Sequence, residues 1–318
     1  MRSNKPTPPS PRRVSRRLTA IVWLTLCGIW GSTWLAIKLG LRDLPPLTFA
    51  GIRFAAAGIV LFGIIGLTRV SLPRSRREWV LLAYTGLLTI TVNYALVFWG
   101  EQHISSGLAA LLSATVPLFG LPLAHRHLEN EPLTRWKGAG VLLGIVGVAI
   151  VFSGELGIGG PVALWACAGI IVAALASAHA GVLLKASGTH IEPSVLAGVQ
   201  MVGGCVPLLI AGIAVEGSPF RFHWTPLALA CLGYLIVIGS VVAFLMYYWL
   251  IRHMQVSGVL MIPLLTPLVA VVFGVMFAGE TVGWHTAFGG AAILAGVGMT
   301  LLNVKKREEQ TVNGEGAA

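Results

Sequence analysis

Charge is what this sequence has least of: Asp, Glu, Lys and Arg make up 11% of its 318 residues, against about 25% in a soluble globular domain. That shortage excludes an ordinary soluble fold. The alternating ten-residue segments of a membrane β-barrel are also missing. So are HExxH, paired aspartates and any Cys–His constellation, and with them the marks of an enzyme. Cys27, Cys167, Cys205 and Cys231 all fall in apolar blocks without CxxC spacing, the pattern of small buried hydrophobes. No metal or other cofactor is expected. The net charge of +10 finds no soluble segment long enough to form a basic face, so nucleic acid is not an expected partner.

What the chain does have is apolar blocks about as long as a ~30 Å hydrocarbon core requires of a helix. They fall at 18–39, 46–68, 78–99, 104–125, 137–153, 161–184, 193–215, 226–251, 256–278 and 284–304. These predict an all-α polytopic membrane protein of ten transmembrane helices. Residues 1–17 are rich in Pro, Ser and Arg and read as a disordered basic tail, and 305–318 as a second tail. SRRLTA resembles a twin-arginine signal, but the apolar block behind it is too long for one. With the N-terminus inside, 18 of the 22 Lys and Arg fall in cytoplasmic segments, as the positive-inside rule demands. Both termini are therefore expected in the cytoplasm, with the protein in a bacterial inner membrane.

The two halves echo each other, predicting repeats at 18–155 and 156–304. Lys38 precedes Pro46 by eight residues, and Lys185 precedes Pro193 by eight. PLTFAGIR matches PSVLAGVQ at an offset of 147, and YALVFW matches FLMYYW at 150. Pro117 pairs with Pro267 at 150, and Glu131 with Glu280 at 149. Each half holds five spans, an odd number, so the copies must be inverted. Inverted repeats around a midplane site are a recurrent plan of transporters that work by alternating access.

WGSTWLAIK followed by Pro45, Pro46 and Arg53, then SGLAALLSATVPLF, ENEPLT and LTPLVAVVFGVMFAGETV, resembles the EamA family of the drug/metabolite transporter superfamily. The resemblance runs from about 18 to 304. It implies two inverted five-helix bundles around a central cavity and the export of small metabolites. The chain is most similar to bacterial aromatic and general amino-acid exporters, which implies an amino-acid substrate. A sugar-phosphate or nucleotide-sugar exchanger and a passive channel stay as alternatives.

Candidate site residues follow from polar or aromatic groups at membrane depth. Trp30 lies near the middle of the first span, where an indole N–H needs a partner that lipid cannot supply. Trp30 and Trp34 are cavity candidates, with helix packing as the alternative. Tyr94 and its repeat mate Phe244 sit deep, with Asn93 and Ser240 as the nearest polar groups. Tyr247, Tyr248 and Trp249 are expected as interface anchors. Arg53 is a charge within a span, read either as a residue that snorkels or pairs with Asp43 or helix-end carbonyls, or as an attractor of a substrate carboxylate in the outer vestibule. His179 is deep, and every carboxylate falls in a loop, tail or span end. That placement favours a uniporter, with proton coupling through His179 as the alternative. Pro117, Pro122, Pro263 and Pro267 are candidate hinges. Gly138, Gly140, Gly144 and Gly147, with Gly289, Gly290, Gly296 and Gly298, suit close packing within the bundle or in a dimer. The expected partners are a small-molecule substrate and the lipid bilayer, and the expected state is a monomer or weak homodimer.

Overall fold

A computed structural model describes residues 15–128, 134–158, 160–254, 259 and 262–315. The Glu131 loop and residues 1–14 of the basic tail lie outside the described residues. The first five helices are α1 (Arg16–Gly40), α2 (Pro46–Thr68), α3 (Arg76–His103), α4 (Ser106–His127) and α5 (Arg135–Ile158). The second five are α6 (Gly160–Ser187), α7 (Pro193–Glu216), α8 (Pro226–His253), α9 (Ile262–Phe273, continued to Ala278) and α10 (Trp284–Glu315). Among the described residues there is no strand, and 8 helices are long and apolar enough to cross a membrane. The apolar part of α9, Leu265–Ala278, is shorter. Helix α10 runs past the expected span end at 304 to Glu315, because KKREEQ is made of good helix formers.

The helix starts are written locally. Pro46, Pro193 and Pro226 occupy first-turn positions, where the missing N–H costs nothing. Ser75 and Glu78 form a capping box on α3. Two carboxylates cap helices of other segments. Glu216 accepts the N–H groups of Leu47 at 2.7 Å and Thr48 at 2.8 Å, and Glu280 accepts those of Ser106 at 2.7 Å and Gly107 at 3.2 Å. Anionic groups at helix N-termini satisfy orphan donors and complement the dipole.

The packing obeys the inverted repeat. The α3–α6 pair has its mirror in α8–α1, and α4–α6 in α9–α1, while α2 meets its own counterpart α7 and α5 meets α10. Lys38 donates to the carbonyls of Glu101 at 2.6 Å and Ile104 at 2.7 Å, closing the C-terminal end of α3. Lys185 donates to Ile251 O at 3.4 Å, at the equivalent end of α8. Both lysines satisfy carbonyls that a helix end leaves free. Each half also carries a π-helical stretch inside its third helix, Leu87–Val92 in α3 and Val237–Val242 in α8. Gly147 of α5 and Gly289 and Gly296 of α10 lie at the α5–α10 contact: a Cβ on Gly147 would lie 2.6 Å from Gly289 O, and one on Gly296 2.5 Å from Gly140 O. Their close packing is therefore within the bundle.

Candidate functional site

The helices around the pseudo-twofold enclose a central cavity of about 210 Å³. Its walls carry Trp30 and Trp34 from α1, Asn93 and Tyr94 from α3, Phe244, Tyr247 and Tyr248 from α8, and Pro263 and Thr266 from α9. Thr33, Thr89, Ser113 and Ser177 add hydroxyls, and among the described residues no lining side chain is a carboxylate, a lysine or an arginine. A smaller cavity of about 70 Å³ shares Val116, Ser177, Gly181, Tyr247 and Val259 with it and extends to Leu128, Lys185 and Ile251. The space thus continues toward the Lys185 face. Toward the Lys38 face it stops at Ile37 and Val97.

The aromatic wall is held by ring-on-ring contacts. The Trp30 indole meets Phe244 edge-on at 5.9 Å and Tyr247 at 5.1 Å, and its Nε1 is buried without a hydrogen-bond partner. Tyr94 packs on Phe54 at 4.5 Å. Ser177 donates to Asn93 Oδ1 at 3.0 Å, tying α6 to α3 across the cavity rim. Edge-to-face and tilted pairs of this kind are worth about 0.5–1.5 kcal/mol each beyond their area, enough to fix the rings before a ligand arrives.

Behind the wall sit the two residues that occupy equivalent places in the repeat, Arg53 and Gln200, both fully buried. Arg53 donates from Nε to Ser240 Oγ at 2.8 Å and from Nη2 to Gly239 O at 3.1 Å. Its guanidinium lies over the rings of Phe54, Tyr94 and Phe98 at 4.8, 5.0 and 5.9 Å. Gly239 belongs to the π-helical stretch, whose altered ladder makes a carbonyl available. Gln200 donates from Nε2 to Thr85 Oγ1 at 2.7 Å and accepts from the Tyr248 hydroxyl. Arg53 therefore braces the cavity wall from behind Tyr94 and does not line the cavity. Asp43, a partner considered for it, accepts instead from Thr225 at 2.6 Å.

The remaining candidates scatter. Ser240 serves Arg53. His179 is half-buried between Tyr84 and His127, with ring centroids at 6.0 and 6.2 Å, and stands away from the cavity. Pro117 follows a break in α4 at Ala114–Thr115, whereas α9 runs unbroken through Pro267, and Pro122 is exposed. Pro263 is the proline that touches the cavity.

Two sequence expectations are overturned. Tyr247 and Tyr248 face the cavity and not the membrane interface. The π-helical stretch before them rotates every later residue of α8 relative to a regular helix, so depth and facing counted at 3.6 residues per turn come out wrong. Glu101, placed in a loop after the third span, is inside α3 and fully buried. The hydroxyls of Thr33, Thr89, Ser113, Ser177 and Thr266 were missed, because single Ser and Thr residues in apolar helices carry no pattern of their own.

Comparison with known proteins places this geometry in a family. The model for the EamA-like transporter family matches residues 18–153 and 164–302, once in each half. An uncharacterized transporter of Bacillus subtilis, YoaV, is 27% identical over 291 residues, covering 92% of this chain and 98% of that protein. An uncharacterized inner membrane transporter of Escherichia coli K12, YedA, is 32% identical over 255 residues, 80% of each chain. A protein crystal structure superposes with a TM-score of 0.67 at 17% identity, covering 91% of this chain and 98% of that one, and so shares the fold.

Proposed function

The chain belongs to the EamA-like transporter family and is a membrane transporter, and we propose that it exports small neutral or zwitterionic metabolites, aromatic amino acids foremost, by alternating access. One observation carries the reading: a central cavity walled by indole, phenyl and phenol rings and rimmed by hydroxyls and one amide, with no formal charge in its lining. Rings supply apolar area and π-faces for an aromatic side chain, while hydroxyls and the amide meet polar ends by hydrogen bonds. The cavity of about 210 Å³ suits a small organic molecule. A sugar phosphate would call for cations in the lining; Lys38 is committed to a helix end, and Lys185 lines the smaller adjoining cavity and not the central one.

The Lys and Arg distribution orients the Lys185 face to the cytoplasm, so this conformation presents its cavity inward. The E. coli relative is named an inner membrane transporter, which supports the same location here. Uniport loses its main support, because it rested on the absence of a buried carboxylate and Glu101 is one. The test is counterflow in liposomes loaded with L-tryptophan or L-phenylalanine, with sugar phosphates as controls. Saturable exchange is expected for the aromatic amino acids, and Trp34→Ala should raise the half-saturation concentration about 3–10-fold through lost ring contact. Linear, unsaturable flux would instead mark a channel.

A further inference from the structure

Glu101 has no part in the cavity chemistry above. It lies one turn past Val97, a residue of the cavity floor on the Lys38 side. Its side chain is fully buried, and neither carboxylate oxygen has a hydrogen-bond partner. The charged groups that face it are Lys38 of α1, Arg53 of α2 and Glu280 of the turn between α9 and α10, with Arg42 beside Lys38.

Lys38, Arg53 and Glu280 all make their hydrogen bonds to other groups. The Lys38 ammonium is bound to two backbone carbonyls. Arg53 holds Ser240 and Gly239, and its remaining Nη1 has no partner. Glu280 is bound to the N–H groups of Ser106 and Gly107. An ionised carboxylate buried in this way gives up its hydration for no hydrogen bond, at a cost of several kcal/mol. Taking up a proton removes most of that cost. The scaffold does not need the group either, for at the equivalent end of α8 the lysine cap is kept and the carboxylate is replaced by Ile251.

We propose that Glu101 is a proton-binding site that couples closure of the outer face to proton uptake from the external solution. With the outer face open, Glu101 is hydrated and ionised beside Lys38. Closure buries it, and one proton from external water forms the O–H of a neutral carboxyl. The inward-facing conformation is thus the protonated one, and external acid favours it. This coupling rests on the alternating-access reading above, whereas the proton site does not.

Infrared spectroscopy of the full-length protein in lipid nanodiscs separates the two. A protonated-carboxyl stretch that titrates with pH is expected in the wild type, lost in Glu101→Gln and kept at a shifted frequency in Glu101→Asp. Wild-type and Glu101→Gln spectra that superimpose at every pH overturn the site, and if the Gln variant does not fold, the absence of an Asp-dependent shift does the same. Counterflow of L-tryptophan then reads the coupling: the wild-type rate should depend on external pH, and Glu101→Gln should lose that dependence. A wild-type rate indifferent to external pH overturns the coupling while exchange itself upholds the carrier. A titrating band without any tryptophan exchange upholds the proton site and overturns the substrate proposed above.

Discussion

Alanine at Gly147 should destabilise the protein, while alanine at Gly138 in the same helix should not. A Cβ at Gly147 would lie 2.6 Å from Gly289 O, 2.7 Å from Ile293 N and 2.9 Å from Ile293 Cγ1. Two of those three atoms are backbone and cannot rotate away. Ordinary contact begins near 3.4 Å, so α5 and α10 would have to part by roughly 0.8 Å, an overpacking cost of about 1–3 kcal/mol. At Gly138 nothing lies within 4 Å. Alanine there gains helix propensity and loses unfolded-chain entropy, for about 0.4–1 kcal/mol of stabilisation. The same contrast holds in α10 between Gly296, whose Cβ would meet Gly140 O at 2.5 Å, and Gly298, which faces open space. Thermal unfolding of the purified protein in one detergent reads both pairs. Gly147→Ala and Gly296→Ala should lower the midpoint by several degrees, with Gly138→Ala and Gly298→Ala level with the wild type or above it. Four variants with indistinguishable midpoints would refute the close α5–α10 crossing.

Two further outcomes follow from the buried polar network and the helix ends. Tyr248→Phe leaves Gln200 Oε1 buried without its donor and should cost about 1–3 kcal/mol; adding Gln200→Leu should recover part of that loss, and simple additivity in a double-mutant cycle would contradict the bond. Lys38→Met removes two short bonds to carbonyls and should destabilise more than Lys185→Met, which removes one at 3.4 Å; equal shifts in unfolding midpoint would deny the capping role.

The helices and their inverted order were legible because they rest on blunt signals. A span must be about twenty apolar residues long, and duplicated prolines, lysines and aromatics keep their offsets. Trp30, Trp34, Asn93, Tyr94 and Phe244 stood out because an aromatic or amide is conspicuous at membrane depth, and they line one cavity. Tyr247 and Tyr248 were misread because a π-helical stretch leaves no mark in composition: LLTITV and VIGSVV read like any other apolar helix. Glu101 was misread because the helix continues past the last apolar residues to His103, and neighbouring segments cover its final turn. Arg53 stood out as a charge, but its stacking on rings from α2 and α3 needs the tertiary fold to be seen.

The paired π-helical stretches also carry a date. Such a stretch amounts to one residue inserted into a regular helix, and Leu87–Val92 and Val237–Val242 stand at the same offset as the aromatics that follow them. Two separate insertions at matching positions are a far less economical history than one, so the irregularity is older than the gene duplication. Arg53 and Glu101, by contrast, face Gln200 and Ile251 across the repeat and record change after it. The ancestral half-length chain already had the π-helical stretch in its third helix, and the charges distinguish what its two descendants became.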